Sequence, residues 1–152
     1  GVSCTPEHYA RLAEIPRING VKEASGDISL VSRTRYLCGD ALNIWSGNDD
    51  QTLPILALGA KGVISVASII VPQVTATLCA AALSGDFFTA RAIHEAYAGL
   101  FDALFYEVNP IPVKTAMQML GWDSGRLRLP LCPMAEGNAA KLQNCLESLQ
   151  LL

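Results

Sequence analysis

Long apolar runs are missing from this sequence. No stretch of about 18 uninterrupted apolar residues occurs, so no transmembrane helix is expected. No basic segment followed by an apolar one opens it, so no signal peptide is expected and a cytoplasmic protein is the reading. Charge is scarce too, at 16% of residues. A net charge of −3 and a pI near 5.3 argue against a nucleic-acid surface. Paired cysteines are also lacking. Cys4, Cys38, Cys79, Cys132 and Cys145 are dispersed, odd in number and never spaced C-x-x-C. Free thiols in a reducing cytosol fit that pattern better than a disulfide framework or a zinc site. His8 and His94 sit in helical patterns without a matching set of ligands, so no metal is expected. A glycine-rich phosphate loop of the Rossmann or P-loop kind is absent.

What is present is a strongly apolar chain of 152 residues, 51% hydrophobic, enough for one domain with a real core. Thr5 and Pro6 mark the start of a helix running to Ile15. An apolar strand follows from Ile18 to Ala24, then a turn at Ser25-Gly26-Asp27. Asp27 caps a helix whose Leu30, Val31, Thr34, Leu37 and Cys38 share one face, and Gly39 ends it. The unit repeats. Leu42 to Trp45 is a second strand, Ser46-Gly47-Asn48-Asp49 a turn, and a helix runs through Leu58 to Gly59. Gly62 to Ser68 is expected to be a third strand. Strand spacing of roughly 20 residues suits a strand, a loop and a crossover helix. Apolar strands alternating with amphipathic helices mean a parallel sheet covered by helices.

After Pro72 only helices are expected: Gln73 to Leu83, Phe87 to about Tyr106, one around Val113 to Leu120, and Ala135 to Leu149. The α/β part is thus 1–71 and the helical part 72–152. Three parallel strands do not close a barrel, which needs about 250 residues.

In parallel α/β folds ligands lie beyond the carboxyl ends of the strands. Lys22 stands at that edge. Burying an ammonium there is costly, and desolvation would release a free amine able to attack a carbonyl. The plainer alternatives are a lysine paired with Glu23 or a solvated strand end. Likewise Asn48, Asp49 and Asp50 most simply cap a helix, and Ser46-Gly47 is most simply a turn.

The order of segments adds more. Gly20-Val21-Lys22-Glu23-Ala24-Ser25-Gly26-Asp27 resembles the lysine signature of dihydrodipicolinate synthases, members of the pyruvate-dependent class I aldolase superfamily with N-acetylneuraminate lyase. Ser46-Gly47-Asn48-Asp49 resembles that family's Ser-Gly-x-Asp loop. Gly59 to Val66 resembles its last barrel strand and the approach to it. Glu107 to Lys114 and Leu127 to Pro130 resemble its C-terminal helical domain. The likeness runs over essentially the whole chain, in order.

The resemblance implies a (β/α)8 TIM barrel, of which this chain covers the last three strands and the C-terminal helices. It places the Schiff-base lysine on Lys22, with pyruvate held as a covalent imine and no separate cofactor. The second substrate it implies is aspartate semialdehyde, in lysine and diaminopimelate biosynthesis. It sets the carbonyl of Ile64 close to the lysine, and Gly47 and Asn48 at the border of the substrate pocket. It implies a homo-oligomer, tetramer or dimer, or association with a complementary N-terminal half. The family's proton-relay tyrosine and threonines and its carboxylate-binding arginine fall outside the matching segments, so the expectation is a fragment inactive on its own. Two alternatives stand beside it: a related sugar-acid aldolase of the sialic acid lyase type, and a non-catalytic scaffold that associates through open sheet edges.

Overall fold

The structure is a computed structural model that describes residues 2–152. Its element order follows the periodicities. Helix α1 spans Pro6–Ala13, with Thr5 and His8 forming a reciprocal capping box. Strand β1 spans Gly20–Glu23 and helix α2 spans Ile28–Cys38, capped by Asp27, whose carboxylate accepts from Ser29 and Leu30 N–H. Strand β2 spans Asn43–Ser46 and helix α3 spans Thr52–Ala57. Gly59 ends that run at φ +91°, a backbone that suits only glycine without strain. Four further helices follow: α4 (Pro72–Leu83), α5 (Phe87–Ala103), α6 (Ile111–Met119) and α7 (Glu136–Ser148).

β1 and β2 pair in parallel, with Lys22 opposite Trp45 and Glu23 opposite Ser46. Strand pleating divides these residues between two faces. Ile44 and Ser46 are buried on the helical side with Glu23. None of Gly20, Lys22, Asn43 and Trp45 on the other face is fully buried. The Trp45 ring lies over that face, so a Cβ on Gly20 would collide with it.

The core has two apolar clusters. One gathers Val31, Ile44, Ile55, Leu56, Leu78 and Ala90 under the sheet. The other gathers Leu100, Leu104, Ile111, Val113, Leu142 and Leu146 among the C-terminal helices. Helices α4 and α5 carry the connection, for Leu78 belongs to the first cluster and Leu100 to the second.

The expected third strand is the main departure. Gly62 to Ser68 does not form a ladder. It makes a single parallel bridge, Val63 to Ser46, and then winds into a 3-10 turn over Ala67–Ile69. The cause is Asp49. Its carboxylate does not cap α3, whose N-cap Gln51 makes no side-chain bond. Instead Oδ2 accepts the N–H of Val66 at 3.0 Å and of Ala67 at 2.9 Å, pulling that backbone out of register. Asp49 is only 3% exposed. Removing it as Asp49→Ala orphans two amides, and a stability loss of about 2–4 kcal/mol is the expected result by urea denaturation.

Candidate functional site at the carboxyl edge of the sheet

Lys22 is the last residue but one of β1, on the open face. It is exposed rather than buried, so the desolvation expected for it is not present in this chain. The reason is that the helices cover only the opposite face of the sheet. The pairing with Glu23 is not present either. Glu23 turns to the helical side, 5% exposed. Its Oε1 accepts the Ser25 N–H at 2.7 Å and its Oε2 accepts the Tyr9 hydroxyl at 3.3 Å. Alternation along the strand sends consecutive residues to opposite sides, which separates this lysine from its neighbour. Lys22 forms no ion pair among the described residues.

The structure brings Lys22 and Gly47 together. Gly47 N–H donates to the Glu23 carbonyl at 2.7 Å, extending the β1–β2 ladder into the turn. A Cβ on Gly47 would stand 2.8 Å from Lys22 Cε and 2.5 Å from Ala24 Cβ. The absent side chain is therefore what lets the lysine stem pass. Ile64 joins from the third segment: its N–H donates to the Ser46 carbonyl at 2.8 Å. Asn48 donates from its side-chain amide to Gln51 Oε1 at 3.4 Å. It lines a separate hollow with Asp50, Phe101, Asp102, Phe105 and Tyr106, while Lys22 lines one of about 490 Å³ with Cys4, Tyr9, Glu23, Ser25 and Asp27. Among the described residues no group of His, Cys, Asp and Glu is placed to hold a metal ion, and the five cysteines are free thiols.

Sequence reasoning missed Tyr9 and Glu23 as a unit. The signal was a polar residue in the helical face that a buried strand end meets, which spacing alone does not reveal. Burial first, then the charge and hydrogen bond of Glu23, raise the Tyr9 phenol to about 12. The folded chain thus keeps this proton to higher pH than the unfolded chain, whose tyrosine titrates near 10.0. Stability should fall as pH rises from about 10 to about 12, with Tyr9→Phe removing that slope. Absorbance titration of the phenols together with urea denaturation at each pH checks this.

A lysine at the carboxyl edge of parallel strands, a Ser-Gly turn packed on its stem, and helices behind the sheet define a parallel α/β protein with a candidate site at the strand ends. The chain belongs to the dihydrodipicolinate synthetase family, whose model matches residues 1–149. It is 47% identical, over its full length, to a 4-hydroxy-tetrahydrodipicolinate synthase of Geobacter sulfurreducens, covering 52% of that protein. Its structure is similar to dihydrodipicolinate synthase from Thermotoga maritima, with a TM-score of 0.93 and 42% identity over 97% of this chain and 51% of that one. It is similar too to the chloride-inhibited enzyme of Acinetobacter baumannii complexed with pyruvate, with a TM-score of 0.94 and 35% identity over 97% of this chain and 51% of that one. The chain spans about half the length of the curated relatives it matches.

Proposed function

We propose that this chain carries the Schiff-base half of a pyruvate-dependent lyase of the dihydrodipicolinate synthase type. The observation that carries the reading is Lys22 itself, in no ion pair among the described residues, seated against Gly47 in a chain whose family match spans residues 1–149. The amine of Lys22 attacks the ketone carbon of pyruvate. The carbinolamine loses water to give an imine, and the protonated imine withdraws electrons from the neighbouring methyl group. Loss of one methyl proton gives an enamine, whose carbon adds to the aldehyde of aspartate semialdehyde. No separate cofactor takes part. The similarity to 4-hydroxy-tetrahydrodipicolinate synthases supports this aldehyde over a sugar acid, and with it a place in lysine and diaminopimelate biosynthesis.

In this reading residues 1–71 are the last βα units of a (β/α)8 barrel and residues 72–152 its last helix and C-terminal helices. The open face beside Lys22 then receives the remainder of a barrel, or a second copy of the chain in a dimer or tetramer. Among the described residues no helix is long and apolar enough to cross a membrane. The test is pyruvate with borohydride, then peptide mapping by mass spectrometry. A reduced adduct on Lys22 is expected. A chain that reacts at Lys22 with a generic amine reagent but takes no pyruvate would sink the proposal and favour the scaffold reading.

A further inference from the structure

In a parallel ladder a residue donates to one position of the next strand and accepts from the position two further on, so rungs recur at every second residue. Ser46 lies opposite Val63. Its N–H donates to the Gly62 carbonyl at 2.9 Å, and its carbonyl accepts the Ile64 N–H at 2.8 Å. The next rung would run from the Asn48 N–H to the Ile64 carbonyl. It is not made. The Asn48 N–H goes to Ser46 Oγ at 3.2 Å, and the same hydroxyl donates to the Asn48 carbonyl at 2.7 Å. No donor among the described residues reaches the Ile64 carbonyl. Beyond it, Asp49 holds the Val66 and Ala67 amides, so the backbone does not return to the ladder.

We infer that Ser46 is a positioning residue: its side chain takes the amide that would otherwise bind the Ile64 carbonyl, and so keeps that carbonyl open at the edge where Lys22 stands. Serine suits the task because one atom both accepts and donates, closing the turn on itself. Ser46 is fully buried, so water does not replace its hydroxyl, whereas the Ile64 carbonyl, taken by no donor among the described residues, keeps its lone pairs free for a ligand. A carbonyl with free lone pairs near a reacting amine can orient that amine or the water it expels. This use rests on the imine chemistry proposed above. The missing rung does not.

The experiment labels the chain with nitrogen-15 in asparagine and carbon-13 in the isoleucine carbonyl. It looks for a scalar coupling across a hydrogen bond between Asn48 and Ile64. The unchanged chain should show none. Ser46→Ala should show it, and its rate of pyruvate trapping by borohydride should fall about tenfold. Thr52→Val, which removes a hydroxyl bond of 3.2 Å to the Asn48 carbonyl in the same turn, should leave both readouts unchanged. Ser46→Cys, whose thiol is a weak acceptor, should slow trapping to a smaller degree and serves if the alanine variant does not fold. A coupling in the unchanged chain would overturn the inference. So would its absence in a folded Ser46→Ala chain, or equal slowing by Thr52→Val. An unchanged chain that traps no pyruvate would refute the imine chemistry instead, and the coupling would still decide the rung.

Discussion

Lys22→Arg should abolish the borohydride-trapped pyruvate adduct while leaving the fold intact. Arginine keeps the positive charge and the apolar stem, but its guanidinium does not deprotonate and forms no imine under these conditions. Lys22 is exposed and forms no ion pair among the described residues, so the replacement breaks no salt bridge that holds the sheet. A stability change within about 0.5 kcal/mol is expected for such a surface substitution. The readout is therefore one-sided: total loss of the adduct with an unchanged urea midpoint. Adduct persisting in the arginine variant would move the chemistry to another amine, with Lys61 and Lys114 the next to map. Lys114 is the weaker of those two, because its Nζ is held by Asp123 at 2.7 Å.

Gly47→Ala should give the second large effect, and for a different reason. The new methyl group would lie 2.5 Å from Ala24 Cβ, 2.8 Å from Lys22 Cε and 3.1 Å from the Glu23 carbonyl oxygen, where ordinary contact begins at 3.4 Å. All three atoms belong to β1 or the residue after it, and two of them, Ala24 Cβ and the Glu23 carbonyl oxygen, do not swing away as a side-chain end does. The strand edge must part from the turn, or the lysine stem must leave its seat. Overpacking of this kind costs about 1–3 kcal/mol. A misplacement of about 1 Å in a reacting group costs on the order of 10²-fold in rate. Slower trapping by about that factor, with a lower urea midpoint, is the expected pair of results. An alanine variant that traps pyruvate at the original rate would show that Gly47 does not shape the lysine's seat.

The helices were legible one by one because capping and period are local. Thr5 and Asp27 cap where their side chains and the following residues require, and Val31, Thr34 and Cys38 bury the stripe that their spacing draws. The strands were legible in their existence but not in their extent. Gly62 to Ser68 carries the β-branched residues of a strand, yet only Val63 pairs, because the Ser46 hydroxyl takes the amide of the next rung and a carboxylate 17 and 18 residues away in sequence takes the amides of Val66 and Ala67. Local propensity cannot register a competitor that arrives through the fold. The same holds for Asp49 itself. From sequence it is a cap, and only the tertiary approach of another segment shows it holding that segment.

The candidate site divides in the same way. Lys22, Gly47 and Ile64 were named from sequence, and the fold brings the first two into contact and ties the third to Ser46. Asn48 was named with them but lines another hollow. The Tyr9 and Glu23 pair was not named at all, since residues on a helix and a strand meet there through packing.

The sequence by itself determined the family, the order of strands and helices, and the lysine at a strand end. Those follow from which residues occur and at what period along the chain. Only the tertiary structure decided that Lys22 stands apart from Glu23, that the third strand stops after one bridge, and that the Ile64 carbonyl is left open. Each of these turns on which of several competing partners a polar group meets, and that is settled by distances between segments remote in sequence.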